Sequence, residues 1–314
     1  KDAFEVIPSL PTLYDEPFAD SSQIPTYLVS KLARQHVTVS LSGDAGDELF
    51  GGYNRYLWGE RVWSKIKWMS PIVRQTLGAV IQKLPAHTWN VAEYLLPNKY
   101  RVASMGDKAH RMSNRLKTVN SLDDMYYSLV TEGFNEDGLV NSDNFVLKTK
   151  LNNSNIVLGT MKSAHRMMLW DALTYLPDDI LTKVDRAAMG VSLETRIPFL
   201  DHRVVELAWR LPLGIKIKNG VGKWPIRKIL YKYVPKELIE RPKAGFAVPV
   251  GQWLREPLRE WADDLLNESK MRHEGYFNPK LVRKIWDQHQ SKECDWTSRL
   301  WAILMFQAWL ETYG

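Results

Sequence analysis

The sequence predicts an α/β chain that is predominantly helical and keeps a remnant of a parallel sheet. The run Val37-Thr38-Val39-Ser40-Leu41 reads as a buried strand, rich in β-branched residues. It lies between a helical segment and a loop of glycines and aspartates, with an apolar, aromatic stretch after it. Helix, strand, glycine loop, helix is the rhythm of a parallel sheet. Elsewhere apolar residues recur at helical spacing and strand signals are sparse. A lone parallel strand leaves backbone groups unpaired, so this one needs neighbours. Either residues outside this chain complete the sheet, or the fold is mostly helical with a small sheet.

The elements follow in order. Ser21 and Ser22 precede Pro25, and Ile24, Tyr27, Leu28 and Leu32 then keep helical spacing, so a helix capped by serine is expected there. From about Arg61 to about Asn155 the spacing is helical and irregular and reads as a helical insertion. Within it Ser70-Pro71 opens a helix with Ile72, Val73, Leu77, Val80, Ile81 and Leu84 on its apolar side. Asn152 to Asn155 is a polar loop, and Gly159 to Leu176 a helix closed by Pro177. Asp178 is placed to cap the next helix, which carries Ile180, Leu181, Val184 and Ala188 on one face. Asp201 caps a helix ending at Leu211-Pro212. Ile215-Lys216-Ile217 with Gly220 suggests a short strand and turn. Trp296 to Tyr313 is apolar nearly all round and predicts a buried helix.

Composition excludes several classes. With 314 residues, 45% hydrophobic and 25% charged, the chain has the make-up of an ordinary globular protein with one large domain or two modest ones. The 13 Trp suggest a bulky helical core or a partner surface. The net charge is +6, but Lys and Arg are scattered beside Asp and Glu rather than gathered in runs. That favours a mildly basic surface attractive to small anions over nucleic acid. One cysteine, Cys294, permits no intrachain disulfide. No apolar run is long enough for a membrane span, and no basic-then-apolar leader follows Lys1, so a cytoplasmic location is expected. The seven His show no metal-ligand spacing.

Leu41 to Tyr53, LSGDAGDELFGGY, carries the strongest chemical signal. Asp44, Asp47 and Glu48 stand among Gly43, Gly46, Gly51 and Gly52, directly after the strand. Loops at the carboxyl ends of parallel strands are where α/β proteins bind ligands. Glycines let the backbone approach a ligand and offer N–H donors to anions. Carboxylates beside phosphates imply Mg²⁺ between them. The plainer reading is a capped turn with solvated acids. The string resembles the matching loop of the glutamine-hydrolysing asparagine synthetase family, SGE- or SGD-x-x-DE-x-FGGY. By that resemblance Ser42 and Gly43 lie at an adenylate. Asp44 faces the aspartyl group or incoming ammonia, and Asp47 binds Mg²⁺-pyrophosphate. Where some members carry Glu this chain has the shorter Asp44.

Two further stretches extend the likeness. Leu181 to His202, LTKVDRAAMGVSLETRIPFLDH, contains Asp185-Arg186 and Glu194 with Arg196. Taken alone these form a structural ion-pair network. The family carries the same pattern, which makes Glu194 and Arg196 pocket-lining. Glu240 to Phe246, ERPKAGF, holds Lys243 between Pro and Gly. Taken alone it is a loop lysine whose backbone Pro fixes on one side. The resemblance makes it the catalytic lysine, neutralising charge as adenylate and pyrophosphate separate. Asp15 to Tyr27 resembles the family's site wall. Gly220-Val221-Gly222-Lys223 is not a phosphate-binding P-loop, since the earlier Gly and the following Ser or Thr are missing.

The resemblance covers essentially residues 1–314 and implies a synthetase domain of the adenine-nucleotide α-hydrolase-like (PP-loop ATPase) class. It implies ATP and Mg²⁺ as cofactors, and aspartate and glutamine-derived ammonia as reactants, and it leaves room for a homodimer. The family's amino-terminal glutaminase domain and its SGG-x-D-S loop have no counterpart here, so a fragment with little activity of its own is expected. A related amidotransferase acting on a sugar acid or a β-lactam precursor stays open, as does a non-catalytic helical binding module.

Overall fold

The computed structural model describes residues 2–84, 88–89, 105–131, 138–141, 161–240 and 248–314. The chain divides into two compact units: Lys1–Trp58, Val146–Val248 and Ala308–Gly314 form one, Gly59–Phe145 and Pro249–Gln307 the other. Among the described residues the fold is mostly helical with one small parallel sheet. No helix among them is long and apolar enough to cross a membrane.

In the first unit, α1 (Gln23–Arg34) begins at Ser22, but the serine side chain caps nothing. Ser22 is instead a donor to the Asp20 carboxylate, through its N–H at 2.9 Å and its hydroxyl at 2.8 Å. A carboxylate offers two acceptor oxygens and a negative charge at the turn, where a hydroxyl offers one neutral oxygen. Strand β1 (Val39–Leu41) follows and pairs in parallel with β2 (Glu194–Arg196), in the register Val39↔Glu194, Ser40↔Thr195 and Leu41↔Arg196. The expected burial of Val37–Leu41 is corrected here. Val39 is 47% exposed and Leu41 75%. The sheet has two strands, and no second layer covers the face that Val39 and Leu41 share with Glu194 and Arg196 among the described residues.

After β1 comes α2 (Gly46–Phe50), the floor of a core made by Ala45, Leu49, Phe50, Leu176, Ile180 and Ala208, with Phe199 and Trp209 packed against it. Helix α3 (Ser163–Leu173) leads toward Pro177, which does not end the run. A wide π-helical turn, Leu176–Leu181, carries Pro177 and Asp178 into α4 (Thr182–Met189). Asp178 therefore sits inside a continuing helix, where its own N–H reaches Thr174 O at 2.9 Å, and caps nothing. Next is α5 (His202–Arg210), capped as expected by the Asp201 carboxylate, which accepts from the Arg203 N–H at 2.9 Å. The strand expected at Ile215–Ile217 is instead one helical turn, α6 (Leu213–Lys216), opened by Pro212. Lys218 and Val221 close the turn that follows, with Gly220 at φ 75°. Lys223 then starts α7 (Trp224–Leu230).

The second unit is helical. Pro71–Lys83 packs against Met105–Thr118, and Ser70 caps it as expected, its hydroxyl accepting from the Val73 N–H at 3.4 Å. The face it buries is not the apolar one: Ile72, Val73, Leu77 and Val80 are exposed, while Arg74 and Gly78 are buried. Closest approach decided this. Gly78 lets the backbones meet, a Cβ there would lie 2.8 Å from Ser113 O, and the Ser113 hydroxyl donates to Gly78 O at 2.7 Å. The Arg74 guanidinium donates to Val119 O beside a core of Ile66, Leu116, Val119 and Met125. Leu300, Trp301 and Leu304 of the helix Thr297–Tyr313 are buried, as its all-round apolar pattern predicts. The polar loop Asn152–Asn155 and the start of the helix expected from Gly159 lie outside the described residues.

Candidate active site

The loop from Ser42 to Gly46 leaves the carboxyl ends of both strands at one place. The Glu194 N–H donates to Thr38 O at 2.9 Å, and the Ser42 N–H donates to Arg196 O at 2.8 Å, which carries the parallel ladder one residue past β1. Two stretches 154 residues apart are therefore joined by main-chain bonds, so Ser42 and Arg196 meet at backbone level. The Ser42 hydroxyl donates to the Asp44 carboxylate, and the Asp44 N–H points back to Ser42 Oγ at 3.3 Å. Gly43 is open, with nothing near where a Cβ would stand. Ala45 takes φ 64°, a conformation that costs a non-glycine residue energy and that turns the chain sharply into α2.

Asp47 stands in the first turn of α2, its Oδ2 paired with Lys223 Nζ at 2.7 Å. Lys223 is held from its own side: it has φ 56°, and its N–H donates to Phe50 O at 2.9 Å. The pair is fitted around glycines. A Cβ on Gly52 would collide with Asp47 Oδ1 and Lys223 Cε, and one on Gly222 would collide with Gly51 O. Sequence reasoning missed Lys223. Its stretch, Gly220 to Lys223, fails the P-loop pattern. The signal was the glycine beside it, which permits close approach to a second glycine turn, but nothing in the sequence names which turn.

Glu194 and Arg196 are exposed and form an ion pair with each other on β2. Asp185 and Arg186 do not pair. Arg186 reaches Asp15 Oδ2 at 2.8 Å instead, because neighbours on a helix point in different directions. Lys243 lies outside the described residues, and so does its expected meeting with Asp44 and Asp47. No group of three or more His, Cys, Asp or Glu side chains suited to a metal occurs among the described residues.

Beneath the loop is a buried polar lattice. Glu48 is 1% exposed, and burial holds its carboxyl above the usual range although the Tyr53 hydroxyl donates to it at 2.7 Å. The Tyr53 ring carries the Arg55 guanidinium at 4.0 Å, and the Tyr175 ring meets the same guanidinium at 4.7 Å. Arg55 grips Asp171 with two contacts at 2.9 Å, and the Tyr56 hydroxyl adds a third at 2.5 Å. Asp171 is fully buried on α3. The contacts of Arg55 and Tyr56 with Asp171 and Tyr175 tie the segment after the glycine loop to residues more than a hundred positions away in the chain.

A second ionic group joins α1 to α4. Lys183 Nζ lies 2.5 Å from Asp20 Oδ2 and 3.8 Å from Asp179 Oδ1. Burial works to raise the Asp20 carboxyl, but Lys183 and the Ser22 donors hold it below its usual value. Asp179 is pushed up to about 7, by burial first and by the Asp20 charge next, against the pull of Lys183. An acid whose folded pKa is raised keeps its proton after the unfolded chain has lost it. The folded state then holds more protons between about pH 4 and pH 7, and stability falls as pH rises through that window. Asp179→Asn has no such titration. Its unfolding free energy relative to the parent is expected to be higher at pH 8 than at pH 5, by about 1 kcal/mol. A difference that ignores pH would show that Asp179 is already ionised at pH 5.

A family model described as asparagine synthase matches residues 1–311. Asparagine synthetase [glutamine-hydrolyzing] 1 of Bacillus subtilis is 30% identical over 305 residues, covering 96% of this chain and 45% of its own length. A Mycobacterium tuberculosis protein to which glutamine-hydrolysing asparagine synthesis is provisionally ascribed is 32% identical over 318 residues, covering 98% of this chain and 45% of its own. The human glutamine-hydrolysing asparagine synthetase is 30% identical over 138 residues, 39% of this chain and 24% of its own. The chain thus spans less than half the length of these relatives.

Proposed function

This chain belongs to the asparagine synthase family, and from that premise we propose that it supplies the ATP-using half of a glutamine-dependent asparagine synthetase. A carboxylate is a poor electrophile. ATP converts the aspartate side-chain carboxylate to an acyl-adenylate with loss of pyrophosphate, and ammonia then displaces AMP to give asparagine. The ammonia comes from glutamine, hydrolysed in a glutaminase domain outside this chain. The fold class is the PP-loop ATPase type, one synthetase domain with a helical insertion at about residues 61–155. The protein works in the cytoplasm.

The single observation that supports this reading most is the Asp47–Lys223 pair at the carboxyl end of the parallel strands. A carboxylate and an ammonium side by side suit a Mg²⁺-bound polyphosphate: the first holds the metal, the second meets phosphate oxygens. Asp47, with Asp44 nearby in the loop, fits the usual set of one or two carboxylates completed by phosphate and water. Mg²⁺ would there offset charge gathering on the departing pyrophosphate. In this reading Ser42 and Gly43 border the adenylate, and Asp44 faces the aspartyl group or incoming ammonia. Glu194 and Arg196 line the acceptor side. Lys243 joins Lys223 in neutralising the leaving group.

The test is the nucleotide released. The enzyme with its complete chain, given aspartate, glutamine and ATP, is expected to form AMP and pyrophosphate in step with asparagine. Release of ADP and phosphate would overturn the adenylation chemistry. AMP formation with another carboxylate but none with aspartate would overturn the acceptor.

A further inference from the structure

Lys216, the last residue of α6, is fully buried, and its Nζ has no hydrogen-bond partner. Its Nζ stands over the face of Trp209, 4.8 Å from the ring centroid. Beside the same ring, at 6.4 Å between centroids, stands His165, whose buried Nε2 also has no partner. Both groups lie in the first unit, and neither takes part in the site described above.

The charges that act on this spot are all of one sign. Burial depresses the Lys216 amine to about 8, with no charged neighbour adding to that. The His165 imidazole is held below its usual value by burial, then by Lys216, then by Lys162. No carboxylate among the described residues is among the causes that shift either group. A buried ammonium without a counter-ion is expensive, and the usual escape is loss of the proton. What remains is an uncharged primary amine with a free lone pair, buried over the face of Trp209. That is a nucleophile in surroundings that disfavour a cation and would favour an anion.

We propose that Lys216 is a carbamylation site, where the neutral ε-amine adds carbon dioxide and the N-carboxylate formed is held by His165. The nitrogen lone pair forms the N–C bond, one C=O π pair moves onto oxygen, and the proton displaced from nitrogen goes to solvent. No oxidant, reductant or leaving group is needed. Carbon dioxide is small and apolar, so transient openings of the core suffice for entry. The product resolves each oddity of the spot. His165 Nε2 gains an acceptor, and Lys162, which acts on His165, gains an anion nearby. Its place is also informative: Ile217, the next residue, stands 2.8 Å from where a Cβ of Gly51 would lie, and Trp209 packs on the core under α2. A new negative charge at Lys216 would be felt by the loop that carries Asp47.

The experiment needs no catalytic activity. The protein is equilibrated with carbon-13 bicarbonate at about pH 8, carbamates are trapped as ethyl esters with a trialkyloxonium reagent, and the digest is read by mass spectrometry. Label is expected on the peptide containing Lys216, falling several-fold when equilibration is at about pH 6, where the amine is protonated. His165→Phe is expected to lower that label several-fold, by removing one hydrogen-bond donor. Lys216→Met serves as the blank for the peptide. Label on the amino terminus with none at Lys216 overturns the proposal, because trapping has then worked and this amine has not reacted. Label at Lys216 that His165→Phe leaves unchanged overturns the role given to His165.

Discussion

Asp47→Asn in the enzyme with its complete chain is expected to lower AMP formation about 100- to 1000-fold, the range found when one preorganised charge is removed from a transition state. Asparagine keeps the size of the side chain, so Gly52 and Lys223 need not move. It removes the negative charge, with two opposed consequences under the proposed function. Mg²⁺ would lose an anionic ligand, and Lys223, freed of its counter-ion, would offset only part of that loss by meeting phosphate oxygens. Because pyrophosphate carries its greatest separated charge as it departs, the loss should fall on kcat more than on the KM for aspartate. Steady-state assays of AMP release measure both, and circular dichroism checks the fold. A variant with kcat near that of the parent would remove Asp47 from the reaction and with it the argument for Mg²⁺ at this loop.

Arg55→Met is expected to have the largest effect on stability, about 3 kcal/mol. Asp171 is fully buried, and Arg55 grips both of its carboxylate oxygens. Methionine preserves bulk against Tyr53 and Tyr175 but strands the carboxylate with the Tyr56 hydroxyl. Breaking a buried pair costs more than the pair ever contributed, since one charge is left desolvated. The double variant Arg55→Met, Asp171→Leu should therefore recover most of the loss. Urea unfolding compares the three proteins. Equal instability of the single and double variants would place the cost in lost packing around the rings, not in the stranded charge.

Much of this was legible in the residues. The helix caps at Ser70 and Asp201 and the apolar helix near the carboxyl end follow from local rules, and the structure keeps them. Other features were not local. Ser22 caps nothing because its hydroxyl is engaged as a donor to the carboxylate of Asp20, two residues earlier. Pro177 failed to stop the helix because a π-turn absorbs its missing N–H. The helix Pro71–Lys83 buried Gly78 and Arg74 because backbone proximity outweighed hydrophobic patterning. Lys223 could not be assigned to Asp47 from spacing, since 176 residues separate them and only the packing of two glycine turns brings them together.

The ladder between Thr38–Ser42 and Glu194–Arg196 is made of amide and carbonyl groups alone. Its geometry does not depend on which side chains stand at 194 and 196, and those side chains face water. A descendant could exchange both for residues of other charge or length and keep the loop from Ser42 to Gly46 where it is. Divergence toward new acceptor carboxylates and constancy of the activating chemistry are thus compatible within one frame.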